Sequence, residues 1–148
     1  MTDTLLQRIV LPVASIEDAK ATTERVLPRL RDNGSDVLAV HVIEKAGGAP
    51  DKASVEQREN RARDIFSVVE ETLSGVEIDV ETRIPYGTDI AQTVLDTASE
   101  FDASSIVFTP RSGSRWVKLL TGDTALGLLN QSDRPVIVLP DDDKGGSG

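Results

Sequence analysis

Cysteine is absent from the chain, which excludes disulfides, thiolate metal sites and cysteine nucleophiles. A single histidine, His41, leaves little material for a transition-metal centre. Long apolar runs are missing too: none approaches the ~20 residues that a membrane-spanning helix needs. The opening Met1-Thr2-Asp3-Thr4 lacks the basic and apolar regions of a secretory signal, so the expectation is a soluble, cytoplasmic protein. Positive charge is scarce. Lys and Arg number 16 against 25 Asp and Glu, a net charge of −9. That balance argues against a nucleic-acid backbone as partner and against anionic membrane surfaces. Only Lys20, Lys45, Lys52, Lys118 and Lys144 are lysines, and such an acid-rich, lysine-poor surface suits a protein kept in solution at high salt.

The chain's 148 residues fit one domain, long enough to bury about 68–70% of its unfolded surface. Residues 8–13 form a continuous apolar run, as expected of a strand covered on both faces in a parallel sheet. Ser15 with Asp18 marks a helix start. Ile16, Ala19, Val26, Leu27 and Leu30 keep helical spacing to Gly34, a left-handed cap residue, and Pro28 should kink that helix. A second buried strand covers 37–43. A loop over 44–54 precedes a helix over about 55–73, whose stripe is Ala62, Ile65, Phe66, Val69 and Leu73.

The strict alternation over 76–84 predicts a strand with one wet face, placed at a sheet edge. Ile90, Val94, Leu95, Ala98 and Phe101 make the third helix. Ile106-Val107-Phe108 is the fourth strand, 123–130 the fourth helix and 134–139 the fifth strand. With right-handed crossovers and a topological switch beside strand one, the fold class is α/β: one doubly wound domain over 1–140, with four helices and a five-stranded parallel sheet ordered 3-2-1-4-5. Residues 141–148, charged and rich in Gly and Ser, read as a disordered tail.

The stretch 108–124, between strand four and the last helix, is the prime candidate for binding. Ligands of open α/β sheets sit in loops leaving the carboxyl ends of strands. Gly113 permits close backbone approach, Ser112 and Ser114 offer hydroxyls, Arg111 can grip a phosphate, and a helix N-terminus follows. The same loop also reads as a merely solvated one. Asp123 reads as a helix cap or a Mg²⁺ ligand, Gly122 as a turn residue, and Trp116 as a contact for a ligand or partner. His41 reads as a satisfied strand histidine, since no serine has the nucleophile-elbow context. Neither a catalytic constellation nor a metal site is found.

Ile9-Val10-Leu11-Pro12-Val13, the strand end His41-Val42-Ile43-Glu44, Gly87 before helix three and Asp133-Arg134-Pro135-Val136-Ile137-Val138 together resemble the universal stress protein (UspA-like) family, over roughly 8–140. The resemblance implies a ligand site drawn from Val13, Ala14, Val42, Thr109, Arg111, Ser112, Gly113, Ser114, Gly122, Asp123 and Thr124. One branch of that family binds ATP through G-x2-G-x9-G-[ST] after strand four. With the last glycine at Gly122, the first two glycine positions hold Thr109 and Ser112, and the final Ser/Thr position holds Asp123; sliding the frame by one does no better.

The family's acidic residue after strand one, which contacts the adenosine end of the nucleotide, is Ala14 here. Two forced left-handed residues at roughly 1–2 kcal/mol each and a lost hydrogen bond at roughly 1–3 amount to about 3–7 kcal/mol, on the order of 10²–10⁵ in affinity. The expectation is therefore a non-enzymatic, dimeric stress-response module without a cofactor, acting on an unknown protein partner. The alternatives are an ATP/Mg-binding switch with weak ATPase activity and a transporter-associated regulatory subunit. The resemblance also implies a homodimer through the last strand, Val136, Ile137, Val138 and Leu139, whose bare edge a twin would cover.

Overall fold

Arg8–Pro12 forms β1, the middle strand of a five-stranded sheet, and every pairing in that sheet is parallel. The structure is a computed structural model and describes residues 4–31, 34–44, 52–76, 78–109 and 130–139. A short 3-10 turn at Thr4–Leu6 leads in. In chain order follow α1 (Ile16–Leu30), β2 (Asp36–Val40), β3 (Ile43–Glu44), α2 (Lys52–Leu73), β4 (Asp79–Arg83), β5 (Tyr86–Gly87), α3 (Ile90–Phe101), β6 (Ser105–Phe108) and β7 (Val136–Val138). The sheet order is β4-β2-β1-β6-β7, which is the expected 3-2-1-4-5. Three helices are described. Of the fourth, expected over 123–130, only Asn130 falls among the described residues, and it is helical together with Gln131.

Local chemistry accounts for the helix ends. Ser15, in an extended conformation, accepts the Asp18 N–H at 3.1 Å and so caps α1. The helix passes through Pro28, which has no N–H to give, and ends two residues later. Gly34 then takes φ +65°, a left-handed turn open to glycine at no steric cost. Asp89 caps α3 by accepting the Gln92 N–H at 3.1 Å, and Asp102 closes that helix in the left-handed region. The second helix begins at Lys52, three residues before the sequence boundary, and buries the expected stripe Ala62, Ile65, Phe66, Val69 and Leu73.

Alternation along the strands divides the core in two. Ile9, Leu11, Val13, Val37 and Ala39 pack with α1 and α2 on one face. Val10, Leu38, Val40 and Ile106 pack with α3 on the other. The central strands read as unbroken apolar runs because both faces are covered. β4 lies at the sheet edge, where its alternation placed it.

The second strand is shorter than its apolar run. It stops at Val40, and β3 resumes two residues later, paired with β5 in the register that β2 keeps with β4: Val40↔Arg83, then Ile43↔Tyr86. Pro85 explains the interruption. The His41 N–H reaches the Arg83 carbonyl at 3.2 Å and the Ile43 N–H reaches Pro85 at 2.9 Å, but Pro85 has no N–H for the return bond of a parallel ladder. The strands therefore part at residues 41–42 and 84–85 without losing step.

Candidate functional site

The carboxyl ends of β1 and β2 are tied together beyond their ladder. The Val13 N–H donates to the Val40 carbonyl at 2.8 Å. His41 Nδ1 lies 2.8 Å from the Val13 carbonyl, and because a carbonyl only accepts, Nδ1 carries the proton. The imidazole is buried at 8% exposure, which agrees with the reading of a satisfied strand histidine. It thereby fixes the turn after β1 against the end of β2.

Beside this tie lies an open cleft of about 490 Å³, lined by Ala14, His41, Val42, Ile43, Glu44, Arg58 and Arg61. Its size falls within the range of small-molecule sites. Its position, at the carboxyl ends of parallel strands beside the central strand, is where doubly wound sheets hold ligands. Ile43 and Glu44 of β3, which pairs with β5 rather than within the main sheet, form part of the cleft wall.

Of the residues singled out in the sequence, Ala14 and Val42 meet in this cleft. Val13 is fully buried in the core on the α1 and α2 face and is held by its backbone. Thr109, just past β6, is also fully buried, and its Oγ1 has no hydrogen-bond partner among the described residues. Arg111, Ser112, Gly113, Ser114, Gly122, Asp123 and Thr124, with Trp116, lie outside the described residues, as do Pro140 and the tail 141–148.

Two cleft residues escaped the sequence reading, Arg58 and Arg61. They stand three apart on α2 and so share one face. Arg58 precedes Ala62 by four residues and Arg61 precedes Ile65 by four, so the pair borders the amino-terminal end of the apolar stripe that drew attention. The available signal was a pair of arginines at helical spacing in a chain short of positive charge. Arg58 Nη1 donates to the Glu44 carbonyl at 3.4 Å, a long contact. Arg61 forms no hydrogen bond or ion pair among the described residues. A neighbouring cluster joins α2 to β5: the Tyr86 hydroxyl donates to Glu59, which holds the phenol above its ordinary pKa of 10.0, chiefly through that hydrogen bond.

At the other end of the sheet, β7 is an edge strand. Val138 is 41% exposed, Val136 leans on the α3 core, Ile137 on the other, and Leu139 is buried in its own domain. The side chain that this edge presents outward is therefore Val138. Among the described residues no group of three or more His, Asp or Glu is placed to hold a metal ion, and no helix is long and apolar enough to cross a membrane.

The model of the universal stress protein family matches residues 6–140. Among solved structures, a universal stress protein from Archaeoglobus fulgidus is 21% identical, with a TM-score of 0.66 over 90% of this chain and 93% of that one. UspA from Lactobacillus plantarum is 20% identical at TM-score 0.72, covering 90% and 97% of the two chains. A family protein from Burkholderia pseudomallei is 17% identical at 0.72, over 93% and 98%. A comparison with curated proteins finds no match. The fold carries the order expected of that family, and the family match spans all of its described elements from β1 to β7: the chain belongs to the universal stress protein family.

Proposed function

We propose that this universal stress protein works by binding rather than by catalysis, as a cytoplasmic dimer joined through β7 that holds an adenosine-type nucleotide only weakly. The observation that carries the reading is the composition of the β1–β2 cleft. Its position suits a nucleoside, with Val42 and Ile43 as apolar surface, yet residue 14 supplies a methyl group where a carboxylate is expected. A lost hydrogen bond of that kind costs about 1–3 kcal/mol, roughly 5- to 150-fold in affinity. Support for a nucleotide as ligand comes from structures similar to this chain: a universal stress protein from Archaeoglobus fulgidus in complex with dAMP, one in complex with cAMP, and one from Arabidopsis thaliana with AMP bound.

Isothermal titration of ATP with Mg²⁺, in KCl high enough for an acid-rich chain, tests the reading. Dissociation constants well above the low micromolar range are expected, and Ala14→Asp should tighten binding of adenosine itself. Low micromolar binding by the unaltered protein, with release of phosphate, would instead make it an ATP-dependent switch.

A further inference from the structure

The chain carries a net charge of −9, yet the described residues that line its cleft include two guanidinium groups and one carboxylate, that of Glu44. Such a local reversal of sign has an effect on ligands. An excess of guanidinium charge in an open cleft raises the local concentration of anions, most strongly at low salt. Arg58 and Arg61 stand on one face of α2, over a floor of Ala14, His41 and Val42. Among the described residues the Arg61 guanidinium is engaged with no carboxylate, and Arg58 holds only the distant Glu44 carbonyl. Guanidinium forks match the oxygens of a phosphate, and two of them one helical turn apart can share a single dianion. Because residue 14 is alanine, the turn after β1 brings no carboxylate to oppose a negative ligand.

We infer that the cleft receives the phosphate of its ligand on Arg58 and Arg61 of α2, so that the group recognised there is the phosphomonoester of a nucleoside. The inference rests on the nucleotide reading above and adds where the ligand's charge is seated: on the second helix.

The test titrates adenosine, 5′-AMP, 3′-AMP and inorganic phosphate into the unaltered protein, into R58Q/R61Q and into R29Q/R31Q. The last pair removes the same charge from exposed positions at the end of α1, outside the cleft lining. At the lowest KCl that leaves the thermal midpoint unchanged, at least one AMP isomer should bind about tenfold more tightly than adenosine. Added salt should shrink that gain. R58Q/R61Q should bring AMP to within about twofold of adenosine and leave adenosine itself unaffected, while R29Q/R31Q keeps the gain and R58K/R61K keeps part of it. Which isomer gains identifies the ribose position that faces α2. Adenosine binding with no phosphate gain, or a gain that survives R58Q/R61Q, overturns the inference and leaves the nucleotide reading standing. Absence of binding by adenosine and both AMP isomers overturns both.

Discussion

The guanidinium of Arg8 lies 4.0 Å over the ring of Phe101 and donates to that residue's carbonyl through Nε at 3.1 Å and Nη2 at 2.7 Å, while Nη1 pairs with Asp36 at 2.9 Å. One side chain at the start of the central strand thus caps the carboxyl end of α3, stacks on its last ring and reaches the neighbouring strand. Charged hydrogen bonds to a helix C-terminus contribute about 1.5–3 kcal/mol and a partly exposed cation–π contact about 0.5–1. Arg8→Ala should therefore cost about 2–3 kcal/mol in urea unfolding, and Arg8→Lys should restore less than half, because an ammonium cannot supply the fork. A loss below about 0.5 kcal/mol would mean that the cluster is incidental.

Gly87 closes β5 against the first turn of α3. A Cβ at that position would overlap Thr93 Oγ1, which is itself held on the Asp89 carbonyl at 2.7 Å, and would stand 3.2 Å from the Thr93 Cβ. Gly87→Ala should destabilise by about 1–3 kcal/mol through crowding. In the double variant with Thr93→Ala most of that cost should vanish, giving a favourable coupling in a mutant cycle. Strict additivity would refute this account of the glycine.

Tyr86 is the only tyrosine, so its ionisation can be followed by ultraviolet absorbance alone. Its hydrogen bond to Glu59 favours the neutral phenol and raises the folded-state pKa above 10.0. A group whose pKa rises on folding contributes stability that is complete below the unfolded value and fades as pH climbs through the folded one. The contribution should be present at neutral pH and disappear above pH 10.0. Glu59→Gln should return the titration toward the ordinary value, and an unmoved titration curve would dismiss the pairing.

The β7 edge presents Val138 outward beside backbone groups that no neighbouring strand covers among the described residues. A charge there should oppose addition of a second β7, since strands blunt their edges with lysine. Val138→Lys is expected to halve the mass measured by light scattering, with little loss of monomer stability. A dimer of unchanged mass would place the subunit contact elsewhere.

The sheet was legible because its central strands are wrapped on both sides, so Ile9 to Leu11 and Val37 to Val40 read as unbroken apolar runs with no competing helical period. The cap at Ser15 was legible from its spacing to Asp18, a relation of neighbours in the chain. What sequence reasoning missed were relations between distant residues. That Pro85 divides the second strand depends on the partner it faces, since a proline is only disruptive where an N–H is wanted. That Arg58 and Arg61 border a cleft with Ala14 depends on how α2 lies over the end of β2. The run Asp133-Arg134-Pro135 acquired a physical meaning only in three dimensions: Arg134 Nε donates to the Ala103 carbonyl at 2.9 Å, and Ile106 donates to Pro135 at 3.0 Å, pinning the approach to β7.

The solitary imidazole of the chain forms part of the cleft floor, bound to the turn that carries Ala14. Its ring protons consequently give resonances with no counterpart elsewhere in the protein. Occupancy of the hollow can be watched in a plain proton spectrum, without labels and without a catalytic assay, so a library of metabolites can be screened against this chain directly.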